Sequence, residues 1–308
     1  MATALLEATI TSRPPPRDLL TGPDMRALTR RSDWRGATQL AAHAGCMTAT
    51  GLLVWLVMPS WWLLLPAMLL HGMTIVTLFA PMHECVHRTA FASRGANVAV
   101  GWVAGVLSFY NSTFYWYFHS GHHRYTQDPA RDPELLYPKA ESRLAYLREV
   151  SSVNFWWRRA LDYPRLALGL VQGLPFVPDG ARRAIALSMT AQLLVYAAAA
   201  SAVALGFTAV LFYWFLPVVL AQPLLRAVLI AEHTGCSQSA DGLSNTRTTL
   251  TGRPLRLLMW NMPFHAEHHL YPAIPFHLLP AAHRILRAHL VHLAPGYPAV
   301  NREILRAL

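Results

Sequence analysis

Between Arg35 and Glu84 the chain carries no Asp, Glu, Lys or Arg for 48 residues, from Gly36 to His83. A helix needs roughly 20 apolar residues to cross a bilayer, so this gap holds two. Its break falls at Pro59-Ser60, ahead of Trp61-Trp62, because proline ends a helix and tryptophans favour the membrane interface. A second uncharged gap, 42 residues from Ala184 to Leu225, holds two more spans with a turn near Gly206. The predicted spans are 38–58, 61–82, 184–203 and 207–228. The expected fold is therefore an all-α integral membrane protein with four transmembrane helices in two hairpins and a cytoplasmic, histidine-rich di-metal cap. One domain is expected over 38–308. It is preceded by a polar extension, 1–37, that has no apolar core long enough for a signal peptide.

Only 14% of residues are charged and 54% are hydrophobic, against about 25% charged in soluble domains. The net charge of +10 would suggest nucleic acid if the basic residues formed a patch. Instead they flank the spans: 6 lie in residues 1–35, 12 in 83–183 and 8 from Arg226 onward, with none in the two connecting turns. By the positive-inside rule the termini and the long loop face the cytoplasm, across an inner or plasma membrane. No aromatic stacking platform accompanies the arginines, so no nucleic-acid partner is expected. Cys46, Cys85 and Cys236 are far apart and read as reduced thiols. The uncharged stretch Gly95–His123 reads as interfacial or re-entrant, because a further crossing would put histidines on opposite sides.

Nine of the 15 histidines fall in four groups. His83-Glu84-Cys85-Val86-His87 places two imidazoles four residues apart, on one helix face. His119-Ser120-Gly121-His122-His123 and His265-Ala266-Glu267-His268-His269 each repeat H-x-x-H-H, which puts three imidazoles on one face. His233 follows the fourth span on the same side. Eight or nine nitrogen donors exceed what one ion takes and point to two metals. All-nitrogen ligation disfavours magnesium and calcium and leaves zinc, copper, iron or another late first-row metal. His43, His71, His277, His283, His289 and His292 read as ordinary surface or satisfied core residues.

At these residues, and in the flanking Arg88-Thr89-Ala90-Phe91, Arg124-Tyr125-Thr126-Gln127-Asp128-Pro129 and Leu270-Tyr271-Pro272, the chain resembles the membrane fatty acid desaturase superfamily. The likeness is closest to bacterial members and runs from about His83 to His277. It implies two iron ions held by His83, His87, His119, His122, His123, His233, His265, His268 and His269. It further implies O2 as co-substrate, hydrogen abstraction from an unactivated C–H bond, and either a double bond or an alcohol as the outcome. Electrons would come from a separate ferredoxin-like protein or reductase, and the substrate would be a fatty acyl chain or other lipid. Some members carry an Asn one turn before the extra histidine; Leu229 stands there in this chain. Glu84, Asp132, Glu232 and Glu267 are the candidates for orienting the ring nitrogens.

Within the superfamily, acyl desaturation is the leading expectation. Hydroxylation, carotenoid-type oxygenation and terminal-alkene-forming decarboxylation are the alternatives. Two readings lie outside it. The literal H-E-x-x-H at His83 suggests a zinc metalloprotease but leaves the other boxes idle. A metal transporter or heme-binding protein would place its ligands near the bilayer midplane, not at the helix ends. The aromatic stretch Phe109–Phe118 reads as an interfacial belt, with a channel lining as the other reading. Phe276–Leu293 reads as an amphipathic helix lying on the membrane.

Overall fold

The computed structural model describes residues 19–308, so Arg13, Arg17 and Pro14–Pro16 of the expected extension lie outside the described residues. The first helix, α1 (Gly22–Leu28), opens with a capping box between Thr21 and Asp24. Helix α2 (Asp33–Val57) is capped by Ser32, whose hydroxyl accepts from Arg35 N. After Pro59-Ser60 the chain returns as α3 (Trp61–Val76) and, past a break, α4 (Phe79–Val86). That break divides the predicted span 61–82, and Pro81 explains it. Proline has no N–H to give to the carbonyl of Thr77, four residues back.

Two helices, α5 (Arg94–Leu107) and α6 (Ser112–Tyr125), fold the stretch 95–123 into a hairpin that turns at Ser108–Asn111. Both of its ends therefore lie near the histidines. Helices α7 (Arg143–Val150) and α8 (Val153–Ala167) lead into α9 (Arg182–Ala204). A π-helical turn, Leu211–Phe215, then runs into α10 (Leu216–His233). Four helices are long and apolar enough to cross a membrane: Asp33–Val57, Trp61–Val86, Asp179–Ala204 and Leu211–His233. Helix α10 packs mainly on α3, whereas α9 leans on α8, so the second pair is consecutive in sequence without being closely packed.

Past α10 the chain forms β1 (Arg247–Thr249), α11 (Arg253–Leu258), α12 (His265–Leu270), α13 (Leu279–Leu286), β2 (His292–Ala294) and α14 (Tyr297–Ala307). The strands pair in parallel, Thr248 opposite Leu293, so the fold is not purely helical. The expected surface helix over 276–293 shrinks to α13. Its apolar side, Leu279, Ala282 and Leu286, is buried against Leu20, Leu28 and Phe264 instead of facing lipid.

Proline also accounts for two of the solitary histidines. Pro217 cannot donate to the Tyr213 carbonyl, and His71 Nε2 donates to it at 3.1 Å. The break after α3 frees the Thr74 carbonyl, which lies 2.7 Å from His43 Nε2, while Trp260 Nε1 donates to His43 Nδ1. Both histidines are satisfied core residues, as expected. Where α3 crosses α10, a Cβ on Gly72 would sit 1.9 Å from the Pro217 carbonyl oxygen. Gly72→Ala is expected to cost about 3 kcal/mol through overpacking. An unchanged melting temperature in detergent would show that the crossing is not tight.

Candidate metal centre

Three short helices and one helix end carry the nine histidines to one place. His83 and His87 lie at the end of α4, His119, His122 and His123 in the last turns of α6, His233 at the end of α10, and His265, His268 and His269 on α12. In one group, the nitrogens of His83, His87, His119, His123 and His268 lie within 4.8 Å of one another. In a second, those of His122, His233 and His269 do the same. His265 joins the second group, its Nε2 3.2 Å from His233 Nε2. Each group is a set of donors that can hold a metal ion.

The ring orientations are fixed from behind. Asp132 accepts from His122 Nδ1, with its two oxygens at 2.9 and 3.1 Å, and from the backbone N–H groups of Gln127 and Glu134 at 2.7 and 2.9 Å. His233 Nδ1 donates to the Asn245 carbonyl at 3.2 Å. The Thr126 hydroxyl donates to the His122 carbonyl at 2.8 Å, and its oxygen accepts from His269 Nδ1 at 3.2 Å. His122 and His233, their δ nitrogens engaged by Asp132 and the Asn245 carbonyl, bring their ε nitrogens to within 3.2 Å of each other. A shared proton or a metal ion between them satisfies both nitrogens. Two imidazole nitrogens so placed would suit a single metal ion.

Further nitrogens point the same way. His83 Nδ1 and Nε2, His87 Nε2 and His269 Nε2 are buried without a hydrogen-bond partner, which a native interior rarely tolerates. Burial, first, and the neighbouring imidazoles, second, hold His119, His123 and His269 well below the ordinary histidine value. They are thus neutral and ready to ligate at neutral pH. His122 differs: burial alone would lower it, yet Glu134 and Asp132 together raise it.

Of the four carboxylates expected behind the rings, Asp132 takes that role directly. Glu232 Oε2 lies 3.4 Å from His265 Nε2, on the side of that ring that faces His233. Glu267 does not touch a clustered histidine: its fully buried carboxylate accepts from Thr248 Oγ1 and from His283 Nδ1. It ties α12 to β1 and α13, and gives His283, read as an ordinary residue, a specific partner. Glu84 Oε1 accepts from Phe276 N at 2.8 Å. Glu84 therefore stands outside both histidine groups, where the general base of an H-E-x-x-H protease could not act.

A cavity of about 970 Å³ runs up to the centre and is lined by His83, His119, His233 and His265 at that end. Tyr110, Phe114, Tyr115 and Phe118 form its wall, so the 109–118 stretch lines a channel in place of the expected belt. Leu229 lines the same cavity. Trp116 of that stretch faces outward beneath the Arg88 guanidinium, 3.9 Å from its ring. Cys46, Cys85 and Cys236 are free thiols.

Four apolar helices, a double histidine cluster able to hold metal and an adjoining cavity are the features of a membrane protein with a candidate metal site. Residues 59–300 match the model of the fatty acid desaturase family, and the chain belongs to that family. It is thus an oxidoreductase of a metal-dependent, lipid-oxidising class. Among curated relatives, it is 27% identical over 289 residues to the dihydrorhizobitoxine desaturase of Bradyrhizobium elkanii, covering 86% of this chain and 76% of that one. It is 30% identical over 125 residues to the sn-1 oleoyl-lipid 12-desaturase of a Picosynechococcus species, covering 38% of this chain and about a third (34%) of the relative's length.

Proposed function

We propose that this protein is an O2-dependent di-iron oxidase that desaturates a fatty acyl or related lipid-phase chain. The observation that carries the reading is the gathering of His83, His87, His119, His123 and His268, and beside them of His122, His233 and His269, with the nitrogens of each group within 4.8 Å of one another. In this reading one iron is held by His83, His87, His119, His123 and His268, and the other by His122, His233, His265 and His269. Bound iron supplies O2 activation and hydrogen abstraction from a C–H bond. The chain's own residues select the carbon: Phe79, Tyr115 and Met262 line the cavity beside the histidines, hold the substrate and exclude water. Electrons come from a ferredoxin-like protein or reductase docking on the cytoplasmic side, the side that the arginine distribution assigns to the centre. Both relatives carry the name desaturase, which favours a double bond over an alcohol.

Lipid and hydrocarbon analysis of aerated cells with and without the gene tests this reading, alongside the metal content of the purified protein. New double bonds and about two irons per chain are expected, in line with the number of nitrogen donors. Hydroxylated products or terminal alkenes would replace desaturation with one of its sister reactions. One zinc and an unchanged lipid profile would end the di-iron assignment.

A further inference from the structure

The wall of the cavity changes character along α10. Glu232 and His233 lie at the metal end, Leu229 and Ile230 follow, and then comes Arg226, all of them lining. Arg226 and His233 are seven residues apart, two turns on one helix face and about 10 Å at 1.5 Å per residue. An arginine inside a candidate span marks a functional site by default. Its Nη2 donates to Glu149 Oε1 at 2.5 Å, and Glu149 is shared with Arg158 at 3.4 Å. Beside them Arg159 lies 4.1 Å from the Phe155 ring and 4.7 Å from the Tyr110 ring. Among the described residues no carboxylate reaches ion-pair distance of Arg159. Two guanidinium groups thus share one carboxylate, with a third guanidinium close by. The Tyr110 hydroxyl and Arg226 Nε, both buried, are neighbours without a hydrogen bond of good geometry, and Tyr110 is only 6% exposed. Of the remaining acids of the cavity, Glu134 lies beside His122, Glu232 beside His265 and Asp162 against the Tyr137 hydroxyl, while Glu141 is exposed.

Building on the reading of the centre as a lipid oxidase, we propose that Arg226, Arg159 and the Tyr110 hydroxyl bind the anionic head of the substrate inside the cavity. The head is a carboxylate or a phosphate, and its oxygens satisfy the Tyr110 hydroxyl and Arg226 Nε, which lack partners, beside an Arg159 whose Nε donates to the Phe109 carbonyl at 3.3 Å. The order of head site, apolar wall and metal end along α10 matches an amphiphile. The reacting carbon lies about 10 Å from the head, or eight to nine bonds of an extended chain at roughly 3.5 Å per three bonds. Arg226 and Arg159 set this distance, and thereby the bond attacked.

The test uses the iron-loaded protein in nonionic detergent without reductant, so that nothing turns over. Radiolabelled dodecanoate is bound and then displaced with unlabelled dodecanoate, dodecyl phosphate or methyl dodecanoate. An anion is expected to displace the label roughly tenfold or more better than the ester, the size of one to two charge-assisted hydrogen bonds. The tighter of the two anions names the head group. Arg159→Gln and Arg226→Gln are each expected to erase most of that preference while iron per chain stays at the wild-type value. An ester that displaces as well as the acid from the wild type overturns the proposal without any variant, as does a preference that survives both substitutions. The two readings fail separately. Dodecanoate binding with no lipid change in cells overturns the oxidase and leaves the anion site, whereas new double bonds without any anion preference overturn the anion site alone.

Discussion

His268→Ala is expected to insert into the membrane normally, to make no measurable product and to hold about one iron per chain or less. The expectation follows from where the ring sits. His268 is fully buried, its Nε2 lies 3.1 Å from His123 Nε2, and its ring centroid is 4.7 Å from that of His83 and 4.6 Å from that of His87. Alanine there removes a nitrogen from the middle of the five-donor group and leaves a gap that no neighbouring side chain fills. The change meets a long apolar helix only at its histidine end, through His83, so insertion and metal loading are expected to separate. Iron analysis on the membrane fraction, with product assay in parallel, reads both. Full activity, or undiminished iron, would remove His268 from the centre.

Asp132→Ala tests the layer behind the ligands and is expected to weaken iron binding about 10- to 100-fold. Its carboxylate fixes the tautomer and the angle of His122, and also pins the turn between α6 and the following segment. Gln127 in that turn has a φ of 66°, a left-handed conformation that side chains adopt reluctantly, and its N–H is held by Asp132 at 2.7 Å. Loss of the carboxylate strands buried donors at a cost of about 1–3 kcal/mol each. The imidazole can then rotate, and its ε nitrogen no longer faces that of His233. Asp132→Asn keeps the shape and one acceptor oxygen and should fall between wild type and alanine. Competition with a chelator measures the affinities; values within threefold of wild type would make Asp132 a bystander.

The histidine cluster is legible in the sequence because helical spacing carries it: residues three and four apart share a face wherever the helix goes. The spans are legible for a similar reason, since uncharged length is a local property. Asp132 is legible as an acid shortly after the second box. Thr126 and Asn245 are not, because a hydroxyl and a backbone carbonyl behind a ring have no spacing rule. The pairing of Glu267 with His283 depends on how α13 returns to α12, and β1 with β2 on a contact between three-residue strands 45 positions apart. Such short segments show no period. The aromatic stretch 109–118 misleads because an interfacial belt and a channel wall have one composition. What separates them is the hairpin turn at Phe109, with a φ of 61°, which directs the following helix back along the cavity. The overlong helix expected after the third box fails for a related reason. Its apolar residues are real, but α1 covers them, and nothing in residues 276–293 foretells that.

The pairing of β1 with β2 also sets an order of events in biosynthesis. Thr248 on β1 holds both Glu267 and the backbone N–H of Ala266, and its neighbour across the ladder is Leu293. Asn301 on α14 donates to the Ala227 carbonyl at 3.0 Å and accepts from the Tyr146 hydroxyl at 2.6 Å, locking that segment against α10 and α7. The third histidine box is therefore held in place by residues translated after it. A nascent chain still lacking residues 292–301 has Thr248 but not the strand and helix that hold it in place. If the centre holds iron as proposed, its loading is expected to follow completion of the chain.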